Sequence, residues 1–98
     1  MKLKIPKTVK VGGTVFKVIY PYAFREGSDD RGQVYWDSCE IRVQKAEDPQ
    51  VEEQTFMHEL LHAIQATYNG DVLEDNITER MAQGLYQVIK DNDFLCQD

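Results

Sequence analysis

The residues able to do chemistry in this 98-residue chain concentrate in one pentapeptide, His58-Glu59-Leu60-Leu61-His62. Its two histidines are the only ones present, four positions apart. On an α-helix that spacing puts two side chains one turn apart on the same face. From there two imidazoles reach one zinc ion at about 2.0–2.1 Å. Glu59 leaves the same side of the helix, offset, where its carboxylate can meet a metal-activated water. Zinc brings the pKa of such a water toward about 7, and a carboxylate beside it can take the proton and deliver it to a leaving amine. The plain alternative is a pair of solvated histidines on a polar helix face, which leaves the intervening glutamate without a role.

The surrounding segment predicts a helix on separate grounds. Asp48-Pro49 is a start signal, Asp as the cap and Pro in the first turn, where its missing N–H costs nothing. Glu52 and Glu53 suit the positive end of the helix dipole. The helix runs from about Pro49 to Tyr68 and stops at Asn69-Gly70. Phe56, Met57, Leu60, Leu61, Ile64 and Tyr68 define its buried side, with His58 and His62 nearly opposite, beside Val51, Thr55 and Gln65. Asn76 with Glu79 three residues on resembles a capping box that opens a second helix, residues 77 to about 90. Its apolar stripe is Ile77, Met81, Leu85, Val88 and Ile89, and the small Ala82 and Gly84 allow close helix contact.

The first half of the chain predicts β-structure. Val9-Lys10-Val11 and Thr14-Val15-Phe16-Lys17-Val18 flank Gly12-Gly13, a pair that supplies the positive φ angles of a tight hairpin. Leu3 and Ile5 alternate with lysines as a short strand or lead-in, and residues 27–32 are loop chemistry. Residues 33–36 and 40–44 form a second hairpin around Asp37-Ser38, with Ile41 and Val43 on a covered face. The expected fold class is therefore α+β: a small N-terminal antiparallel sheet followed by two packed helices, in one domain spanning residues 1–98.

Composition narrows the function classes. No stretch approaches the roughly 20 apolar residues of a membrane helix, and the start lacks the apolar block of a signal peptide. A soluble cytoplasmic protein with no membrane partner is expected. Net charge is −6, yet residues 1–25 carry six basic side chains and no acid, while the rest carry five basic and all seventeen acidic ones. So acidic a chain is a poor nucleic-acid binder; the basic segment reads better as lysines guarding a strand edge. Cys39 and Cys96 are too few for a disulfide framework and read as reduced thiols.

A catalytic zinc site needs a third protein ligand and an open fourth position. With no third histidine, that ligand is a carboxylate or, less naturally, Cys39. Asp71, Glu74, Asp75 and Glu79 follow the pentapeptide. Glu79, near the edge of the second helix's apolar stripe, where packing on the first helix could aim it at the metal, is the favoured ligand, with Glu74 or Asp75 as the alternative; a capping box would also explain a Glu at 79 without any metal.

Thr55-Phe56-Met57-His58-Glu59-Leu60-Leu61-His62-Ala63-Ile64, followed by Glu79-Arg80-Met81-Ala82-Gln83-Gly84-Leu85, resembles the ImmA/IrrE-type zinc metallopeptidases, especially small phage and prophage members. That family pairs H-E-x-x-H with a later E-x-x-A-N-x-F-like segment whose Glu is the third zinc ligand. Glu79 falls on that Glu and Ala82 on its Ala, whereas Gln83 and Leu85 stand where Asn and Phe are usual. The resemblance covers roughly residues 32–91. It implies a minimal zincin-like fold and a zinc-dependent endopeptidase. In that reading His58, His62 and Glu79 bind the metal and Glu59 is the catalytic base. Its substrate is a protein or peptide, and characterised relatives cleave transcriptional repressors. A strand bordering the helix, such as residues 40–44, would hold the peptide by edge pairing, and Tyr35, Tyr68 and Tyr86 are candidates to stabilise the oxyanion. The alternative is a non-catalytic zinc-binding interaction module of the same fold, stabilised by its metal.

Overall fold

The computed structural model describes residues 5–25, 30–68, 70 and 73–92. Leu3, Asn69, Asp71 and Cys96 lie outside the described residues. Four strands precede two helices, as the α+β expectation has it: β1 (Thr8–Val11), β2 (Thr14–Tyr22), β3 (Gly32–Tyr35), β4 (Glu40–Gln44), α1 (Pro49–Tyr68) and α2 (Asp75–Asn92).

Both hairpins form where the turn residues put them. Gly12 and Gly13 take φ of 58° and 93°, and Val11 pairs with Thr14. In the second, Tyr35 pairs with Glu40, and Cys39 closes the turn at φ 52°, its N–H donating to the Trp36 carbonyl. The strand order is β1-β2-β4-β3. The hairpins join through β2 and β4, which run parallel, Val18 opposite Ile41, so one of the three ladders departs from the antiparallel pattern. This order places β4 inside the sheet and β3 at its edge. Phe16, Val18, Ile41 and Val43 are buried, and the sheet's core cluster is completed by Phe56 and Ala63 of α1.

The α1 cap is as expected: the Asp48 carboxylate accepts from Gln50 N–H at 2.9 Å, and its carbonyl accepts from Val51 N–H. The helix is a middle layer. One side covers β3 and β4, and another receives α2, which among the described elements contacts α1 alone. Glu52 stands in the first turn, as the dipole reading has it, and both Glu52 and Glu53 are buried. Glu52 accepts from the Tyr20 hydroxyl at 2.7 Å and from Ala46 N–H at 2.8 Å. Burial opposes its charge, but those donors and the Lys45 ammonium outweigh it and hold the carboxyl below its ordinary range. Glu53 accepts from the Tyr86 hydroxyl at 2.6 Å, with Lys90 Nζ at 3.8 Å.

Helix α2 departs from its expected packing. It begins at Asp75, and the Glu74 carbonyl accepts from Ile77 and Thr78 N–H, so Asn76 is already inside the helix and no Asn76–Glu79 capping box opens it. Its buried side chains are Thr78, Ala82, Tyr86 and Ile89. Ile77, Met81, Leu85 and Val88, predicted as core, are 38–52% exposed. The cause lies on α1, whose α2-facing side carries two buried polar groups. Glu53 needs the Tyr86 hydroxyl, and the Gln65 amide donates to Thr78 Oγ1 at 2.8 Å. A buried polar group costs free energy unless it finds a partner, and an aliphatic stripe offers none. On α1 likewise, Ile64 and Tyr68 are exposed while Gln65 is buried, because this helix has polar as well as apolar neighbours.

Removing the Tyr86 hydroxyl leaves the buried Glu53 carboxylate short of a donor, a loss of about 2 kcal/mol. Tyr86→Phe should therefore lower the melting temperature by roughly 10 °C, measured by circular dichroism. A shift within the error of the wild-type value would show that the bond does not hold the helices together.

Candidate metal centre

The histidines are delivered by consecutive turns of α1 and the carboxylate by the first turn of α2. His58 Nε2 and His62 Nε2 lie 3.1 Å apart. Asp75 Oδ1 stands 2.8 Å from the His62 nitrogen and 3.2 Å from that of His58. Tetrahedral zinc with bonds of 2.0–2.1 Å requires ligand atoms about 3.3 Å apart, so this triangle has the size and the donor types of a zinc face. Two imidazole nitrogens and a carboxylate oxygen are a borderline-soft set suited to that ion. His58, His62 and Asp75 are the group of potential ligands that converges in this way among the described residues. The histidine side chains are 18% exposed and that of Asp75 is 78% exposed, so the cluster opens to solvent on the α2 side. The His62 imidazole, hydrogen-bonded to Asp75, lowers its pKa; partial burial opposes this and His58 adds to it.

Glu79 does not join this triangle. It lies one turn further along α2, exposed, in the wall of the same cleft. Because Glu74 rather than Asn76 caps the helix, the competing explanation of Glu79 as a capping-box residue no longer applies. Asp75 was legible in the sequence as one of several acids, but its position depended on where α2 begins. Glu74 is exposed and outside the triangle, and Cys39 sits in the β3–β4 turn, also outside it.

The cleft encloses about 640 Å³ and runs between α1, α2 and the sheet edge, with Glu59 in its lining. Burial pushes the Glu59 carboxyl above its usual range; the imidazoles of His58 and His62 pull against this, and the carboxylates of Asp75 and Asp30 reinforce it. A raised pKa makes a carboxylate a better proton acceptor near neutrality. The strand beside it is β3. A Cβ on Gly32 would stand 2.6 Å from Thr55 Cγ2 and 3.0 Å from Glu59 Cγ, so the missing side chain lets the edge strand lie directly against the turn of α1 that carries Glu59.

Two expectations change here. Residues 40–44 cannot take an extended peptide, because β4 is paired on both sides; the edge strand that borders the cleft is β3, through Gly32 and Gln33. None of the three tyrosines lines the cleft. Tyr86 is buried against Glu53, Tyr35 lies 3.7 Å beneath the Arg42 guanidinium, and Tyr68 is 71% exposed. Arg31, Gln33, Gln54 and Gln83 put polar donors in the cleft wall.

No family model, curated protein or solved structure matches this chain.

Asp75→Ala should weaken zinc binding at least tenfold more than Glu79→Ala, read by competition with a chromogenic chelator. The reverse order would move the third ligand one turn along α2 to Glu79.

Proposed function

We propose that this chain is a small zinc-dependent metallopeptidase of the ImmA/IrrE kind, acting in the cytoplasm on a protein or peptide. The observation that carries the reading is the convergence of both H-E-x-x-H imidazoles on an α2 carboxylate, within 2.8–3.2 Å, beside the desolvated Glu59. His58 and His62 hold the metal with an α2 carboxylate, Asp75 by its position in the cluster or Glu79 by the family resemblance. Zinc, when bound, supplies a Lewis acid that polarises the scissile carbonyl and acidifies water. Glu59 takes the proton of the attacking water and returns it to the departing amine. Burial of its carboxylate in the cleft wall favours that exchange. The edge of β3 offers backbone N–H and C=O groups to an extended peptide laid along the cleft, which brings a substrate bond across Glu59. A transcriptional repressor is the substrate kind that the family resemblance suggests. The described wall of the cleft is polar and partly charged, which suits a peptide backbone better than an apolar ligand. No helix among the described residues is long and apolar enough to cross a membrane.

Glu59→Gln keeps the imidazoles and should bind zinc as the wild type does, while peptide hydrolysis falls by about 10²–10⁴-fold. Cleavage would be followed by mass spectrometry of a peptide library. Undiminished turnover in the variant would remove Glu59 from the mechanism. Zinc binding without cleavage by either protein would favour the non-catalytic module.

A further inference from the structure

The geometry points to α2 as the interface of a homodimer in which two copies of the helix pack antiparallel through their exposed apolar faces. Ile77, Met81, Leu85 and Val88 are 41%, 52%, 38% and 47% exposed. Together they cover about 17 Å of helix. A continuous exposed apolar stripe along one helix is a candidate interaction surface. The stripe is not the remainder of the internal packing, because α2 already seats Thr78, Ala82, Tyr86 and Ile89 on α1.

Three features select a second copy as the occupant. Positions 77, 81, 84 and 88 repeat with the 4-3-4 spacing of a two-helix seam. Gly84 stands in that seam, and a Cβ there would meet nothing within 4 Å, so a facing helix can approach closely at that point. In an antiparallel pair centred between residues 84 and 85, Leu85 of each copy covers Gly84 of the other, and Met81 faces Val88. The flanking charges fix the direction. Arg80 and Asp91 are eleven residues apart, three turns, and so share one flank of the stripe. Both are exposed. Antiparallel pairing puts Arg80 within about 3 Å, along the axis, of the partner copy's Asp91, whereas a parallel pair forgoes that complementarity. The Asp91 carboxylate is already oriented by Gln87 Nε2 at 2.9 Å.

On the circumference of α2 this stripe is opposite Glu79 and Gln83, which line the metal cleft. Dimerisation therefore leaves both clefts open and does not depend on the proposed peptidase activity.

The test is sedimentation equilibrium in reducing buffer from roughly 10 to 500 µM, with and without zinc. The wild type should rise from the mass of one chain, 11.4 kDa, to twice that value. Met81→Glu places a charge on a side chain that is half exposed and so leaves the fold intact by circular dichroism; it should remain at the mass of one chain throughout. Arg80→Asp should raise the dissociation constant about tenfold, and adding Asp91→Arg should restore it. A wild type that stays monomeric over the whole range overturns the proposal, as does a Met81→Glu protein that still dimerises. Failure of the double exchange to recover affinity overturns the antiparallel arrangement.

Discussion

One buried hydrogen bond keeps His58 and His62 on one helix in reach of Asp75 on the other. Tyr86 donates to Glu53 at 2.6 Å between α2 and α1, and Gln65 with Thr78 makes the matching contact nearer the site. Both histidines belong to α1 and the carboxylate to α2, so the triangle of Nε2, Nε2 and Oδ1 exists only while the helices stay in this register. The polar seam fixes that register more sharply than an aliphatic contact would, since a slide of one turn would strand a buried carboxylate and a buried amide without partners.

The middle position of α1 explains much of the rest. Sheet, second helix and cleft each take a share of its circumference. Phe56 and Ala63 serve the sheet, Met57 and Gln65 serve α2, and His58, Glu59 and His62 are left to the cleft. Glycine at position 32 completes the arrangement by letting the edge strand rest on the turn that bears Glu59. The Glu59 carboxyl is thereby desolvated on one side while the cleft stays open on the other, the combination that the proposed proton transfer would require.

How far the site could be read from the sequence follows from the same layering. The hairpins were legible because Gly12-Gly13 admits the required φ angles, and α1 because Asp48-Pro49 is an unambiguous start. The histidine spacing has meaning on any helix, so His58 and His62 needed no tertiary information. Asp75 did need it: the start of α2 turned on whether Glu74 or Asn76 closed the first turn. Hydrophobicity alone orients α2 wrongly, because Glu53 and Gln65 on the neighbouring helix demand Tyr86 and Thr78. The inner place of β4 was also hidden, since the order of strands depends on how the two hairpins join, a long-range matter that local alternation does not encode.

Two imidazoles and one α2 carboxylate are expected to form a zinc site with an open position. Zinc K-edge X-ray absorption on untagged protein purified without added metal, beside His62→Ala, tests it most directly. About one zinc per chain is expected, with two imidazole nitrogens and oxygen neighbours at about 2.0–2.1 Å, and loss of the metal in the variant. A protein that carries no zinc and takes up none, or a spectrum without imidazole scattering, would contradict it.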